Sequence, residues 1–275
     1  MATKTPVTEV AIIKPLDVTT LPADMMAALA AEAKEAAASE RPAVSKLSTA
    51  NGQLKYMGDP VAGNNMDVMI LYASYRRVWY SGAYDPNNIK NPDCFALAET
   101  DEDMIPGASN PVNPTCNGCP KNEWKSDVQN GVVRKGKACK ESRRMIMMTA
   151  AMFNDPSLDP SALPDAIKKA ELAILDLPVT SAKNYGGFVN TVAAMVNVPP
   201  WAVIANVKVQ PSKNQFEVIL TPLRVLPGAA VVMAVKSRLE DAKRLALEPY
   251  DETSPTNSAV IQAQRSAEAA ASQKF

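Results

Sequence analysis

Histidine does not occur anywhere in the 275 residues. Its absence removes the commonest general base and the commonest neutral metal ligand, which excludes Ser-His-Asp and Cys-His catalysis and mixed His/Cys zinc sites. Net charge is missing as well, because 29 Lys and Arg residues balance 29 Asp and Glu residues. Any electrostatic argument for a nucleic-acid or membrane partner must therefore be local. No apolar run approaches the roughly 18 residues that a membrane-spanning helix needs. Residues 1–17 lack a continuous apolar core followed by a small-residue cleavage site. These absences lead to the expectation of a cytoplasmic protein without a membrane partner. A Gly-rich phosphate loop and an Asp/Glu cluster at metal-ligand spacing are also lacking. The acidic residues Glu99, Asp101, Glu102 and Asp103 lie in a loop and read as a solvated run. The expectation is a protein that is not an enzyme.

What is present fits an ordinary globular chain, with 47% apolar residues and a mean hydropathy of -0.13. Residues 1–50 read as an extended arm, an Ala-rich helix over 23–39 and a linker. Strand-like apolar runs follow at 55–57, 66–72 and 75–80, the last two rich in aromatic and β-branched residues. Residues 84–88, Tyr-Asp-Pro-Asn-Asn, have turn chemistry. Strands are predicted again at 143–149 and 171–176, with a hairpin over 202–210 and 214–221. Residues 161–169 form a short helical or turn segment. Ser181 is placed to cap a helix through Tyr185, Phe188, Val192 and Val196, which Pro199 and Pro200 stop, and 227–247 reads as one amphipathic helix. The Ser/Ala/Gln-rich residues 248–275 read as a flexible tail. This run of strands with an internal helix predicts an α+β, β-rich domain over 51–247. Its expected form is an OB-like antiparallel barrel with peripheral helices and a loop inserted at about 91–140.

That loop holds all four cysteines, Cys94, Cys116, Cys119 and Cys139, among Pro, Gly, Asn and Asp. A long stretch without periodicity needs something else to order it. Cys116-Asn-Gly-Cys119 is a knuckle in which two thiolates can face one ion, with Gly118 permitting the turn. Four thiolates leave no open coordination position, the arrangement of a structural Zn2+ site. Disulfides would need an oxidising compartment, and core cysteines would not gather in the most turn-rich part of a chain. Lys137 and Lys140 are expected to lower the thiol pKa values and offset part of the site's negative charge.

Residues 120–144 carry eight basic and three acidic side chains, a local excess of five positive charges. Aromatic residues make up only 5% of the chain, yet Tyr72, Tyr75, Trp79, Tyr80 and Tyr84 cluster beside Arg76 and Arg77, and Trp124 lies within the basic segment. Cationic side chains that track phosphates, with rings on which bases stack, are the means by which single strands are bound. The plainer reading is a solvated charged loop with the rings packed in the core.

Four passages carry a resemblance: Asn-Pro-Asp-Cys at 91–94, Cys-Asn-Gly-Cys-Pro-Lys-Asn-Glu-Trp at 116–124, Gly-Lys-Ala-Cys-Lys-Glu-Ser-Arg-Arg at 136–144 and Ser-Ala-Lys-Asn-Tyr at 181–185. Over about residues 66–225 the chain resembles bacteriophage single-stranded DNA-binding proteins that join a four-cysteine zinc loop to an OB-type domain. The resemblance implies a role in phage DNA replication or recombination in the host cytoplasm, with replication or recombination proteins as further partners. The chain departs from such proteins at its end, Ser-Gln-Lys-Phe, which is not the acidic tail many of them use for recruitment. The expected mechanism is sequence-tolerant binding. Arg76, Arg77, Lys125, Arg134, Lys135, Lys137, Lys140, Arg143 and Arg144 would contact phosphates, and Tyr75, Trp79 and Trp124 would stack on bases. A zinc-containing phage adaptor acting on a host RNA polymerase or nuclease is the alternative. A homo-oligomer is left open.

Overall fold

The computed structural model describes residues 45–82, 91–129, 131–212 and 215–250. The expected N-terminal arm, the Ala-rich helix, the turn at 84–88 and the tail beyond 250 lie outside the described residues. The strands are β1 (Ser45–Ser48), β2 (Lys55–Tyr56), β3 (Asp59–Pro60), β4 (Asn65–Trp79), β5 (Cys94–Ala98), β6 (Val128–Gln129), β7 (Val132–Val133), β8 (Lys140–Thr149), β9 (Ala173–Asp176), β10 (Val203–Ser212) and β11 (Gln215–Val225). The helices are α1 (Leu163–Lys169), α2 (Ala182–Val196), α3 (Ala229–Lys236) and α4 (Leu239–Leu247). One sheet runs in the order β11-β10-β4-β8-β9-β1-β2-β3, with β5 also paired to β4, and β6–β7 form a separate hairpin.

The α+β, β-rich class is therefore the architecture, built on a sheet curled into a half-barrel. All pairings in the main sheet are antiparallel except β1 with β9. The strand path ends at β11 and β3, and no pairing joins those ends among the described residues.

Strand β4 organises this sheet. Its middle is apolar on both faces: Val68 and Ile70 join Met145 and Met147 in one buried cluster, while Met69 and Leu71 join Ile146 and Met148 in the other. A strand covered on both faces reads as a continuous apolar run rather than an alternation. The runs at 66–72 and 75–80, expected as separate strands, are one 15-residue strand apart from Tyr80. A bulge sets Leu71 and Tyr72 against the single step from Met147 to Ile146 of β8. Bulges bend a strand and sharpen its twist. One edge of β4 is thereby shared, with β10 pairing residues 65–69 and β5 pairing residues 75–79, while β8 runs along the other edge.

Helix α2 covers one face through Phe188 and Val192. Helices α1, α3 and α4 cover the other through Ile167, Val235, Ala242 and Ala246. The two alanines sit four apart on α4, and the main chain there comes close enough for Ser74 Oγ to donate to Ala246 O at 3.0 Å. The helix expected over 227–247 is broken between α3 and α4. Ser237 Oγ donates back to Ala234 O at 2.7 Å, a bond that competes with the helical ladder. Arg238 Nη1 donates to Ile167 O, Lys168 O and Ala170 O at 3.1, 2.6 and 2.9 Å, closing the C-terminus of α1.

Ser181 does not cap α2. Its Oγ instead accepts from Val218 N at 2.8 Å, and Asn184 Nδ2 donates to Val218 O at 2.8 Å. The Ser-Ala-Lys-Asn passage thus satisfies Val218 on the outer edge of β11, where unpaired groups would be open to another strand.

Candidate metal centre and nucleic-acid interface

Strand pairing delivers two of the four cysteines. Cys94 opens β5 opposite Trp79, and Cys139 immediately precedes Lys140, which pairs with Val78. The two residues flank the same end of β4, from opposite edges. The other two sit on the loop between β5 and β8. Gly118 takes a φ of +73°, Asn122 N donates to Cys119 O at 2.8 Å, and Cys139 N donates to Lys121 O at 2.8 Å. Asn122 Nδ2 also donates to Cys116 O at 3.3 Å. The knuckle is thus tied both to itself and to the start of β8.

All four cysteines line one cavity of about 20 Å³, together with Arg77, Trp79 and Lys121. That space holds about one atom-sized sphere. All four are free thiols. Among the described residues no group of three or more His, Cys, Asp and Glu side chains is placed so that it could hold a metal ion. The cysteines line the cavity without forming a ligand cage, so an ion would have to draw the thiols together. Burial pushes the Cys116 thiol up, Arg77 pulls it back, and Cys94 and Cys119 raise it again. The Cys139 thiol is pushed up to about 12, first by burial and then by Cys116 and Cys94. Four thiolates sharing this space repel one another, and a dication reverses that balance because it deprotonates the thiols it binds. Four thiols are a donor set that suits zinc, although they share the cavity wall with Arg77, Trp79, Phe95, Ala96 and Lys121 among others.

The cation beside the thiols is not the one expected. Lys137 Nζ donates to Asn122 Oδ1 and Glu141 Oε1 at 3.3 and 3.2 Å, and Lys140 Nζ pairs with Asp127 Oδ2 at 2.8 Å. Arg77 lines the cavity instead, with its side chain 9% exposed. Its Nη2 pairs with Asp101 Oδ1 at 3.0 Å and Glu141 Oε1 at 2.9 Å, while its Nε is buried without a hydrogen-bond partner. An orphaned buried donor costs about 1–3 kcal/mol.

Three of the expected phosphate contacts are internal. Besides Arg77, the guanidinium groups of Arg76 and Arg144 are buried and converge on Asp176 of β9, at 3.4 and 3.0 Å. Burial would push the Asp176 carboxyl up, but the charges of Arg76 and Arg144 override it and hold the group below its usual range. Tyr250 closes the cluster. Its hydroxyl accepts from Arg76 Nε at 2.7 Å and donates to Asp176 Oδ2 at 3.2 Å, and its ring lies 4.5 Å from the Arg144 guanidinium carbon. Arg144 Nη1 donates to Glu248 O at 2.9 Å. Residues 248–250, expected as the start of a flexible tail, are fastened to the sheet. These arginines fall on strand faces that helices and loops cover, where a cation needs a carboxylate partner.

The exposed candidates gather on the loop. Trp124 is 72% exposed, with Lys137 Nζ 5.6 Å from its ring centre. Lys125, Arg134 and Lys135 are exposed as well. Backbone bonds from Lys125 N to Gly136 O (3.1 Å) and from Arg134 N to Asp127 O (2.7 Å) hold this segment together. Trp79 is half-buried against the cysteine cavity, with Lys121 Nζ 5.0 Å from its ring centre. On the sheet, the Arg143 guanidinium carbon lies 3.4 Å from the ring centre of the half-buried Tyr75.

Sequence reasoning missed three features. Val128, Val132 and Val133 of the β6–β7 hairpin are 56%, 64% and 59% exposed, an apolar patch whose only sequence signal is three valines in a polar loop. Tyr185 is pushed up to about 12 by burial, with Arg143 and Tyr75 among the groups that act on it; the sequence showed it as a helix position and as the end of the 181–185 passage, not as a site residue. A cavity of about 370 Å³ lies by the β10–β11 hairpin, lined by Asn51, Thr180, Phe216 and Glu217 among others. No local motif marks it, since its walls come from three separate segments. No helix among the described residues is long and apolar enough to cross a membrane. Comparison with protein-family models, curated proteins and solved structures found no match.

Proposed function

We propose that the protein binds single-stranded DNA, without strong sequence preference, through a cysteine loop ordered by a structural zinc ion. The observation that carries this reading is Trp124. A tryptophan left 72% exposed on a loop, beside Lys137 and the exposed Lys125, Arg134 and Lys135, pairs a stacking face with phosphate-binding charge. The zinc reading rests on Cys94, Cys116, Cys119 and Cys139 lining one small cavity. The four thiolates would hold the ion, and the ion would supply order rather than chemistry. Tyr75 adds less to this reading, because it packs against the buried cluster of Ala96, Ala98, Met104 and Cys116 and carries Arg143 over its ring. The bend of β4, which hands one edge to two partners, is the feature that favours an OB-type relation for the curled sheet. Protection of displaced strands in phage replication or recombination belongs to the same proposal, with replication or recombination proteins as further partners.

One observation favours a second reading. The exposed valines of the β6–β7 hairpin suit an apolar protein partner better than a phosphate backbone, which supports the adaptor alternative. Titration of a fluorescent oligo-dT with rising salt separates the two. A strand binder loses affinity steeply as salt rises, and its tryptophan fluorescence is quenched as bases stack. No binding at low salt overturns the DNA reading and leaves the adaptor.

A further inference from the structure

Arg77 sits where the three strands that frame the cysteine cavity meet. In register it faces Ala96 of β5 on one side and Glu141 of β8 on the other. Cys94 lies two residues before Ala96, and Cys139 lies two residues before Glu141. The guanidinium is held from one end, because Asp101 and Glu141 both take Nη2. The Nε–H at the other end has no partner, and the side chain lines the same cavity as the four cysteines. A neutral thiol is a weak acceptor, whereas a metal-bound thiolate accepts a charge-assisted hydrogen bond. A metal-bound thiolate in this cavity would offer that donor a far better acceptor than a neutral thiol does.

We infer that Arg77 is a positioning residue for the metal centre, donating its Nε–H to a cysteine sulfur of the zinc-bound cluster and thereby slowing loss of the ion. This rests on the zinc reading of the same four cysteines. Asp101 and Glu141 already balance the positive charge of Arg77, with Lys137 also on Glu141. The contribution is therefore a directed N–H···S bond rather than net charge. The same bond ties the ion to β4, the strand on which the sheet is organised. Partners that orient metal ligands typically change metal affinity by about 10–100-fold when removed.

The test compares the full chain with Arg77→Met and Arg77→Lys. Zinc content is measured by elemental analysis, Co2+ is titrated in its place, and the rate of zinc transfer to a chromogenic chelator is followed. The wild type is expected to take one ion per chain and to show the intense sulfur-to-cobalt charge-transfer bands of a thiolate site. In Arg77→Met the bands persist but move to lower energy, because a sulfur without the hydrogen bond is a stronger donor, and the ion is lost about 10–100-fold faster. Arg77→Lys keeps a cation for Asp101 and Glu141 but not the planar fork, and should fall between the two. If Arg77→Met does not fold, Arg77→Lys alone decides. Unchanged band energy and release rate in the variant that folds overturn the role of Arg77 while leaving the zinc site standing. A wild type that takes up no zinc and shows no cobalt–thiolate bands overturns the zinc reading itself, and the Arg77 role with it.

Discussion

The sheet and the cysteine loop of this chain are ordered by different means. In the sheet, Val68, Ile70, Met145 and Met147 on one face and Met69, Leu71, Ile146 and Met148 on the other are almost wholly removed from water, and helices seal both sides. Hydrophobic burial at about 25 cal/mol per Å² accounts for order there. The loop has no comparable core. Its buried residues Met104 and Cys116 cluster with Ala96 and Ala98 of β5, and the rest is turns and the short β6–β7 hairpin, tied by hydrogen bonds such as Asn122 N to Cys119 O. Charge follows the same division. Arg76 and Arg144 of the sheet meet Asp176 and Arg77 meets Asp101 and Glu141, whereas Lys125, Arg134 and Lys135 in the loop face solvent. The sheet thus pairs three of its arginines internally, and the loop pairs Lys137 while displaying Lys125, Arg134 and Lys135.

Metal removal breaks the comparison most sharply. Chelation, or joint Cys116→Ser and Cys119→Ser substitution, should abolish amide-exchange protection across 105–139 while β4, β8 and β10 keep theirs. Equal loss in both regions would mean that the loop is integral to the sheet. Next in size is Asp176→Ala, which leaves Arg76 and Arg144 buried without their carboxylate and should cost about 3–5 kcal/mol in a denaturant titration. The same carboxyl links stability to pH. Its folded pKa is depressed, so its contribution is complete above the unfolded value of about 4 and is lost as pH falls through the folded one. Asp176→Asn should therefore flatten the acid limb of the stability curve. Trp124→Ala should leave stability within about 0.5 kcal/mol, as exposed sites do, but weaken oligonucleotide binding by about 1–3 kcal/mol. Unchanged affinity would remove Trp124 from the interface. The smallest effect is one of slope. Joint Lys125→Ala, Arg134→Ala and Lys135→Ala should reduce the salt dependence of log K by about 2, at roughly 0.7 per phosphate contact on a single strand.

Much of the sheet was legible because its elements carry their own periodicity. Strands β8, β9, β10 and β11 and helix α2 lie where apolar spacing puts them, to within a few residues. The failures share a cause. The bulge at Leu71, which merges two apolar runs into one bent strand, exists only against its partner β8. Ser181 has the chemistry of a helix cap, yet the open edge of β11 claims its hydroxyl. The helix over 227–247 breaks because Arg238 is drawn to the carbonyls that end α1, some 70 residues away. In the candidate site, Cys116 and Cys119 were readable as a knuckle from two-residue spacing, but Tyr185 and the β6–β7 valines had no comparable signal.

By itself the sequence determined the donors that the candidate site can offer: the chain has no histidine, its four cysteines fall in one stretch, and their turn-rich surroundings mark a loop with few apolar residues to order it. Tertiary structure decided which charges remain outside. Arg76, Arg77 and Arg144 look the same in a string of residues as Lys125, Arg134 and Lys135. They differ because β4 and β8 are covered on both faces, so their cations must find Asp101, Glu141 and Asp176 across strands and loops. Tertiary structure also set Cys94 and Cys139 on opposite edges of one strand end. Local pattern specifies what a residue can do, and long-range pairing specifies what it faces.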